Sequence, residues 1–311
     1  MKLNLLPAIF LGWSLGANDA ANCFGPFVGS GLISYKRAIA VAGIFVVIGA
    51  VVGGQHGLTN ISAVSKFSSS DASLALFSAA LTVTGMTWLK LPVSTSQAVI
   101  GAIIGLNVKT QGFHGIDWSA FLKFFIVWVL TPVGAFLISL FMYKIGAFLF
   151  RKIRNIQLQD VFIKTASWMV GIYGAYALGA NNVANVTGVF VGSALTVTEG
   201  AILGGLSIAF GILTFSKRVI LTVGKNLIEL DHFSSLVAVF SHSVTVWLYS
   251  LIGIPVSSSQ AIVGGVLGAG LARGERLSYP KMLYRVLMAW IETPVVSGLV
   301  SFSLSTAFIE I

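Results

Sequence analysis

The sequence predicts an all-α polytopic membrane protein built from two inverted repeats of about five membrane segments each, with discontinuous or re-entrant helices among them. Three observations predict it. Of 311 residues, 56% are hydrophobic and 9% are charged, against about 25% charged in a soluble domain. With a mean hydropathy of +0.91, a lipid solvent explains the apolar excess better than a large core. Apolar stretches also recur along the whole chain, and a set of short motifs occurs twice, in the same order and at nearly constant spacing.

The apolar stretches of the first half run from Leu3 to Phe24, Ile39 to Gly53, Ala72 to Leu89, Ser94 to Leu106 and Phe121 to Phe150. Those of the second run from Ser167 to Val189, Gly200 to Phe215, Leu236 to Leu251, Ser257 to Gly270 and Lys281 to Ile309. Several are shorter than the about 20 residues a simple span needs, and two carry Pro or Gly breaks, which is why discontinuous helices are expected. The first stretch reads as a membrane segment and not as a leader: it has no A-x-A-like cleavage site, and its polar cluster is foreign to a signal peptide.

The repeat is read from matched motifs. Gly16-Ala17-Asn18-Asp19-Ala20-Ala21-Asn22 returns as Gly179-Ala180-Asn181-Asn182-Val183-Ala184-Asn185. Phe27-Val28-Gly29-Ser30 returns as Phe190-Val191-Gly192-Ser193, and Pro92-Val93-Ser94 as Pro255-Val256-Ser257, at the same spacing. Trp128 and Pro132 match Trp290 and Pro294 at a spacing one residue shorter. An ordered series of this kind marks duplication of a unit of about 150 residues, and in a membrane two such units point to a transporter. The expected divisions are residues 1–150, a basic connection over 151–165, and residues 166–311. If each half crosses the membrane an odd number of times, the copies lie in opposite orientations.

The net charge of +9 sits in the short connections between apolar stretches, so the expected partner is a lipid bilayer and not nucleic acid. Lys144, Arg151, Lys152, Arg154 and Lys164 form the densest basic group, which assigns the middle of the chain to the cytoplasmic side. Lys36-Arg37 and Lys217-Arg218 read as interfacial anchors. The single cysteine, Cys23, has no intrachain partner for a disulfide and reads as packing.

Two motif pairs carry the chemistry. On a helix Asn18 and Asn22 are four apart and Asp19 and Asn22 three apart, so they share a polar face, flanked by small residues that admit another backbone. In the second pair, Ser94-Thr95-Ser96-Gln97 and Ser257-Ser258-Ser259-Gln260 each restart an apolar segment with hydroxyl residues. Ser and Thr cap helix starts, and a helix start offers free N–H groups and partial positive charge. Two such starts facing one another bind an anion without a cluster of Arg or Lys. Asp19 adds an acceptor for the proton of a protonated oxyanion or a ligand for a cation, and an intramembrane carboxylate is by default a functional residue. Phosphate carries such a proton near neutral pH and sulfate does not.

Glu292 is a second acid in an apolar run, opposite Leu130 in the other half, and is a candidate coupling acid or a carboxyl near a helix end. His242 reads as a hydrogen-bonded packing residue in preference to a proton relay. His56, His114 and His232 show no metal-ligand spacing. No enzyme is expected: there is no H-E-x-x-H, no cluster of His with carboxylates, and no base beside the serines.

The paired Gly-Ala-Asn-Asp and Gly-Ala-Asn-Asn motifs, with the paired Pro-Val-Ser-(Thr/Ser)-Ser stretches, resemble the inorganic phosphate transporter (PiT) family over nearly the whole chain. The resemblance implies inverted repeats, movement of inorganic phosphate with sodium or protons, and a homodimer. Asn18, Asp19, Asn22, Asn181, Asn182 and Asn185 fall on the family's signature positions, and the two hydroxyl runs on its hydroxyl-rich helix starts. The chain departs from the family pattern at Asn182, where Asp is frequent, and at Gln97 and Gln260, where many members have His. It departs again at Val46 and Val239, where animal sodium-coupled members carry Glu, and the long central loop of those members is missing.

The combined expectation is a secondary active transporter that imports phosphate by symport with sodium and alternating access. Ser94 to Gln97, Ser257 to Gln260 and Asp19 would meet the anion. Asp19, Asn18, Asn22, Asn181, Asn182 and Asn185 would meet sodium, a co-substrate and not a cofactor. Sulfate transport and proton coupling are the alternatives within this fold, and an anion channel is the alternative outside it. The compact form fits a prokaryotic inner membrane.

Overall fold

The computed structural model describes residues 3–64, 68–89, 93–116, 118–217, 219–221, 230–275 and 280–309. Pro92 and Arg218, named above, lie outside them. The regular structure of the described residues is helical, with one isolated bridge between Val191 and Leu195. Its first half contains α1 (Leu6–Gly29), α2 (Tyr35–Gly53), α3 (Gln55–Val64), α4 (Ser69–Trp88), α5 (Thr95–Gln111) and α6 (Trp118–Phe150). The second contains α7 (Ile156–Thr187), α8 (Val197–Phe215), α9 (His232–Leu251), α10 (Ser258–Arg273) and α11 (Pro280–Ile309).

Helices α2, α6, α7, α8, α9 and α11 include stretches long and apolar enough to cross a membrane. The outer face of α6 shows why: Leu122, Phe125, Ile126, Val129, Leu137 and Phe141 are all exposed, a surface suited to lipid. α1 falls outside that group although its run was expected to be a first membrane segment. Its polar signature dilutes its hydropathy, and every residue from Ser14 to Phe27 is buried, so its solvent is the rest of the bundle. The basic connection is shorter in coil than 151–165, because α7 begins at Ile156. Asn155 caps it by accepting from the N–H groups of Gln157 and Leu158, and Asp160 pairs with Lys164 one turn on. Such local devices sustain a helix start that apolar periodicity does not announce.

α5 and α10 have 17 and 16 residues, so each is about 25 Å long and falls short of the about 30 Å hydrocarbon layer. Each begins at a serine with extended backbone, Ser94 or Ser257, that does not continue the helix before it. These are the discontinuous segments the sequence calls for.

The halves are interlocked. α1 packs on α8 and α2 on α7; α5 packs on α11 and α6 on α10. Each of these contacts joins a first-half helix to a second-half one. Glycines make them possible: a Cβ at Gly16 would collide with the Ile208 carbonyl, and one at its counterpart Gly179 with the Val46 carbonyl. Gly101 and Gly264 meet the carbonyls of Pro294 and Pro132 in the same way. Only small residues let membrane helices approach this closely. The contacts also give direction. Gly49 and Gly53 of α2, and Gly57 of α3 beyond them, meet Tyr176, Ala180 and Ala184 of α7 in ascending order, so α2 and α7 run parallel; Gly101 and Gly105 meet Pro294 and Gly298 likewise.

Candidate functional site at two crossed helix starts

The site is built where α5 and α10 begin. Ser94 and Ser257 hold extended backbone and cap their helices, each accepting from the N–H of the Gln three residues on, Gln97 or Gln260, at 3.2 Å. Hydroxyls then cross between the halves. Ser259 donates to the Val93 carbonyl (2.7 Å), and Ser96, its counterpart, donates to the Val256 carbonyl (3.2 Å). The valine just ahead of each helix cap therefore receives the hydroxyl of the opposite helix.

The signature helices α1 and α7 fix this crossing from the side. Val93 N–H donates to Asn18 Oδ1 (3.3 Å) and Val256 N–H to Asn181 Oδ1 (3.1 Å). Asn18 Nδ2 donates to Thr87 Oγ1 (2.9 Å), and Asn181 Nδ2 to the Val256 carbonyl (2.9 Å). One turn further, Asn22 Nδ2 reaches Ser258 Oγ (3.1 Å) and Ser259 Oγ (3.4 Å), while Asn185 Nδ2 reaches Ser96 Oγ (2.9 Å) and Asn182 Oδ1 (3.3 Å). Asn18 and Asn181 thus hold the residue ahead of the helix start of their own half, while Asn22 and Asn185 bind a helix start of the other half. A backbone that breaks helix inside the bundle must find such partners, since no lipid group can supply them.

The structure brings together Asn18, Asp19, Asn22, Asn181, Asn182, Asn185 and both runs, Ser94 to Gln97 and Ser257 to Gln260, and all are buried. Asp19 accepts a long bond from Ser259 (3.4 Å) and, among the described residues, has no ion pair. Asn22 Oδ1, Thr95 Oγ1, Gln97 Oε1 and Gln260 Oε1 are buried without a hydrogen-bond partner among the described residues. Polar atoms of this kind are rare unless a ligand or water completes them.

Glu292 is not brought to the site. It is exposed on the outer side of α11, beside exposed Ile291 and Val295. His242, read from sequence as a packing residue, does lie there: its Nε2 is 2.8 Å from Ser258 Oγ, and it is fully buried. Thr87 is a site residue that the sequence did not single out. A signal for the place of His242 existed: the matching position in the first half is Ala79, and a titratable ring at membrane depth in only one of two copies marks a functional position by default.

Comparisons with known proteins agree with this architecture. The model of the phosphate transporter family matches twice, over residues 15–159 and 150–301. A candidate phosphate permease of Methanocaldococcus jannaschii is 29% identical, over 97% of this chain and 96% of its own. A sulfate permease of Bacillus subtilis is 26% identical, over 98% and 87%. A solved structure, that of a sodium-dependent phosphate transporter, superposes with a TM-score of 0.90 at 23% identity, covering 99% of this chain and 98% of that one, which establishes the fold. Six apolar helices among the described residues and two family-model matches describe a multi-pass membrane protein, and the chain belongs to the phosphate transporter family.

Proposed function

We propose that this protein imports inorganic phosphate by symport with sodium, with two repeats of opposite orientation giving alternating access to one site between them. The observation that carries the reading is Asp19, a carboxylate buried beside two crossed helix starts with no cationic side chain paired to it among the described residues. A carboxylate at membrane depth requires a compensating charge, and paired helix starts attract an anion. A cation at Asp19 lowers the cost of the anion next to it, and the anion lowers that of the cation, which is the physical content of coupling.

In this reading Thr95, Ser96, Ser258, Ser259, Gln97 and Gln260 receive phosphate, and Ser94 and Ser257 shape the helix starts as caps. Asp19, Asn22, Asn182 and Asn185 surround sodium. Asn18 and Asn181, whose amide oxygens already accept a backbone N–H, hold the helix starts in position. The opposite orientation is supported by direction: α2 runs parallel to α7, and α1 is joined to α2 by the short link 30–34, so α1 and α7 oppose one another. The basic group around Arg151 then faces the cytoplasm, and a prokaryotic inner membrane is the proposed location. A homodimer belongs to the same proposal, since Glu292 on an outer helix face fits cover by a second copy better than contact with lipid.

Similarity to a sulfate permease favours one second reading, sulfate in place of phosphate at the same helix starts. Proteoliposomes that contain only this protein decide between them. Labelled phosphate should accumulate under an inward sodium gradient, and excess sulfate should not block it. Accumulation driven by a pH gradient alone would transfer the coupling to protons. Sulfate uptake without phosphate uptake would overturn the substrate, and uptake that never exceeds equilibration would make the protein a channel.

A further inference from the structure

His242 stands outside every role assigned so far. It lies on α9, fully buried, with Nε2 2.8 Å from Ser258 Oγ and with Nδ1 unpartnered among the described residues. Ser258 Oγ also accepts from Asn22 Nδ2 (3.1 Å). A serine hydroxyl has one proton to donate and two places to accept. A buried N–H without a partner is rarer than a buried acceptor without one, so the favoured tautomer carries its proton on Nε2 and donates it to Ser258. Both acceptor places of Ser258 are then filled, by His242 and Asn22, and its own proton is left for something else.

The first half has no such arrangement. Ala79 takes the place of His242 and Thr95 that of Ser258, and Thr95 Oγ1 has no partner among the described residues. We infer that His242 is a positioning residue of the anion site, which makes Ser258 an obligate donor to the transported oxyanion and gives the second half the firmer hold on it. The inference rests on the anion-binding reading above and adds which half, and which hydroxyl, sets affinity.

The test uses the full-length protein in proteoliposomes, with labelled inorganic phosphate in one arm and labelled sulfate in the other. For whichever anion the native protein carries, His242→Ala should raise the KM about ten-fold, the scale of one hydrogen bond to a charged group, with little change in maximal rate. His242→Gln, whose amide nitrogen falls near the position of Nε2, should return KM to within about three-fold of native on the same scale. Ser258→Ala should raise KM as His242→Ala does, and the double variant should be no worse than Ser258→Ala alone, because residues acting through one contact are not additive. Unchanged KM in His242→Ala, or in His242→Gln and Ser258→Ala should His242→Ala not fold, overturns the inference. So do additive effects in the double variant, or a fall in maximal rate at constant KM. A native protein that carries neither anion overturns the functional reading and this inference together, whereas an anion carried with a KM indifferent to His242 and Ser258 overturns this inference alone.

Discussion

The two halves meet at the site as near copies in backbone and as unequal partners in chemistry. Ser96 and Ser259 cross to Val256 and Val93, Asn18 and Asn181 hold Val93 and Val256, and Gly16 and Gly179 each admit a carbonyl from the other half. Against this, Asp19 faces Asn182, His242 faces Ala79, and Ser258 faces Thr95. The difference separates two demands. Building a bundle from two copies asks for matched small residues and matched backbone partners, so those positions agree. Holding one cation and one anion asks for charge at one place only, and a single departure in each pair suffices.

The comparison breaks most visibly at the shared glycines. Gly16→Val and Gly179→Val should each abolish recovery of folded protein, and to an equal degree, because the added atoms meet backbone that has no rotamer to escape into; yield and thermal melting in detergent check this. Unequal losses would mean that the two contacts are not structural equivalents.

The unequal positions come next. Asp19→Asn should reduce sodium-driven accumulation by about 100-fold or more, the scale at which a site loses its only charge, while melting changes little, because the amide keeps the shape. Asn182→Asp, which makes the halves alike, should alter sodium dependence and leave some transport. Normal transport by Asp19→Asn with unchanged cation dependence would remove Asp19 from the coupling site.

Smaller effects separate the crossed serines. Ser96→Ala and Ser259→Ala each delete a buried bond to the valine carbonyl of the other half and one accepted from an asparagine, and should lower stability by a similar amount, about 1 kcal/mol per bond. Ser259→Ala should also lower sodium affinity, since Ser259 alone of the two bonds an acid; sodium titration of phosphate uptake measures it. Least of all, Glu292→Leu, which installs the residue type of its counterpart Leu130, should leave cation dependence unchanged, as expected of a side chain on the outer face of α11.

Much of this was legible in the sequence, for reasons that differ by region. The helical class and the break before α5 and α10 follow from composition, segment length and hydroxyl caps, which act locally. The convergence of the two signatures with the two helix starts followed from duplication. The partners of each asparagine did not: Asn22 bonds Ser258 and Asn185 bonds Ser96, and no local rule selects the opposite half. The beginning of α7 at Ile156 was missed because capping and one ion pair, not apolar periodicity, start it. Glu292 was drawn toward the site by its chemistry alone, since a sequence gives a residue its depth in the membrane more readily than its compass bearing around a helix.

The interlocked pairing of α1 with α8 and of α5 with α11 has a consequence for biosynthesis. α1 leaves the ribosome long before Ile208 exists to meet Gly16, and α5 long before Pro294 exists to meet Gly101. Contacts so distant along the chain are slow to close, and domains that can fold as soon as they emerge avoid this delay. Here the first half waits in the insertion machinery or the bilayer with Asp19 and Asn22 of its polar signature uncovered. A chain stalled after α6 would therefore present Asp19, Asn22 and an open helix start, whose partners Ser258 and Ser259 do not yet exist, to whatever quality-control factor surveys the membrane.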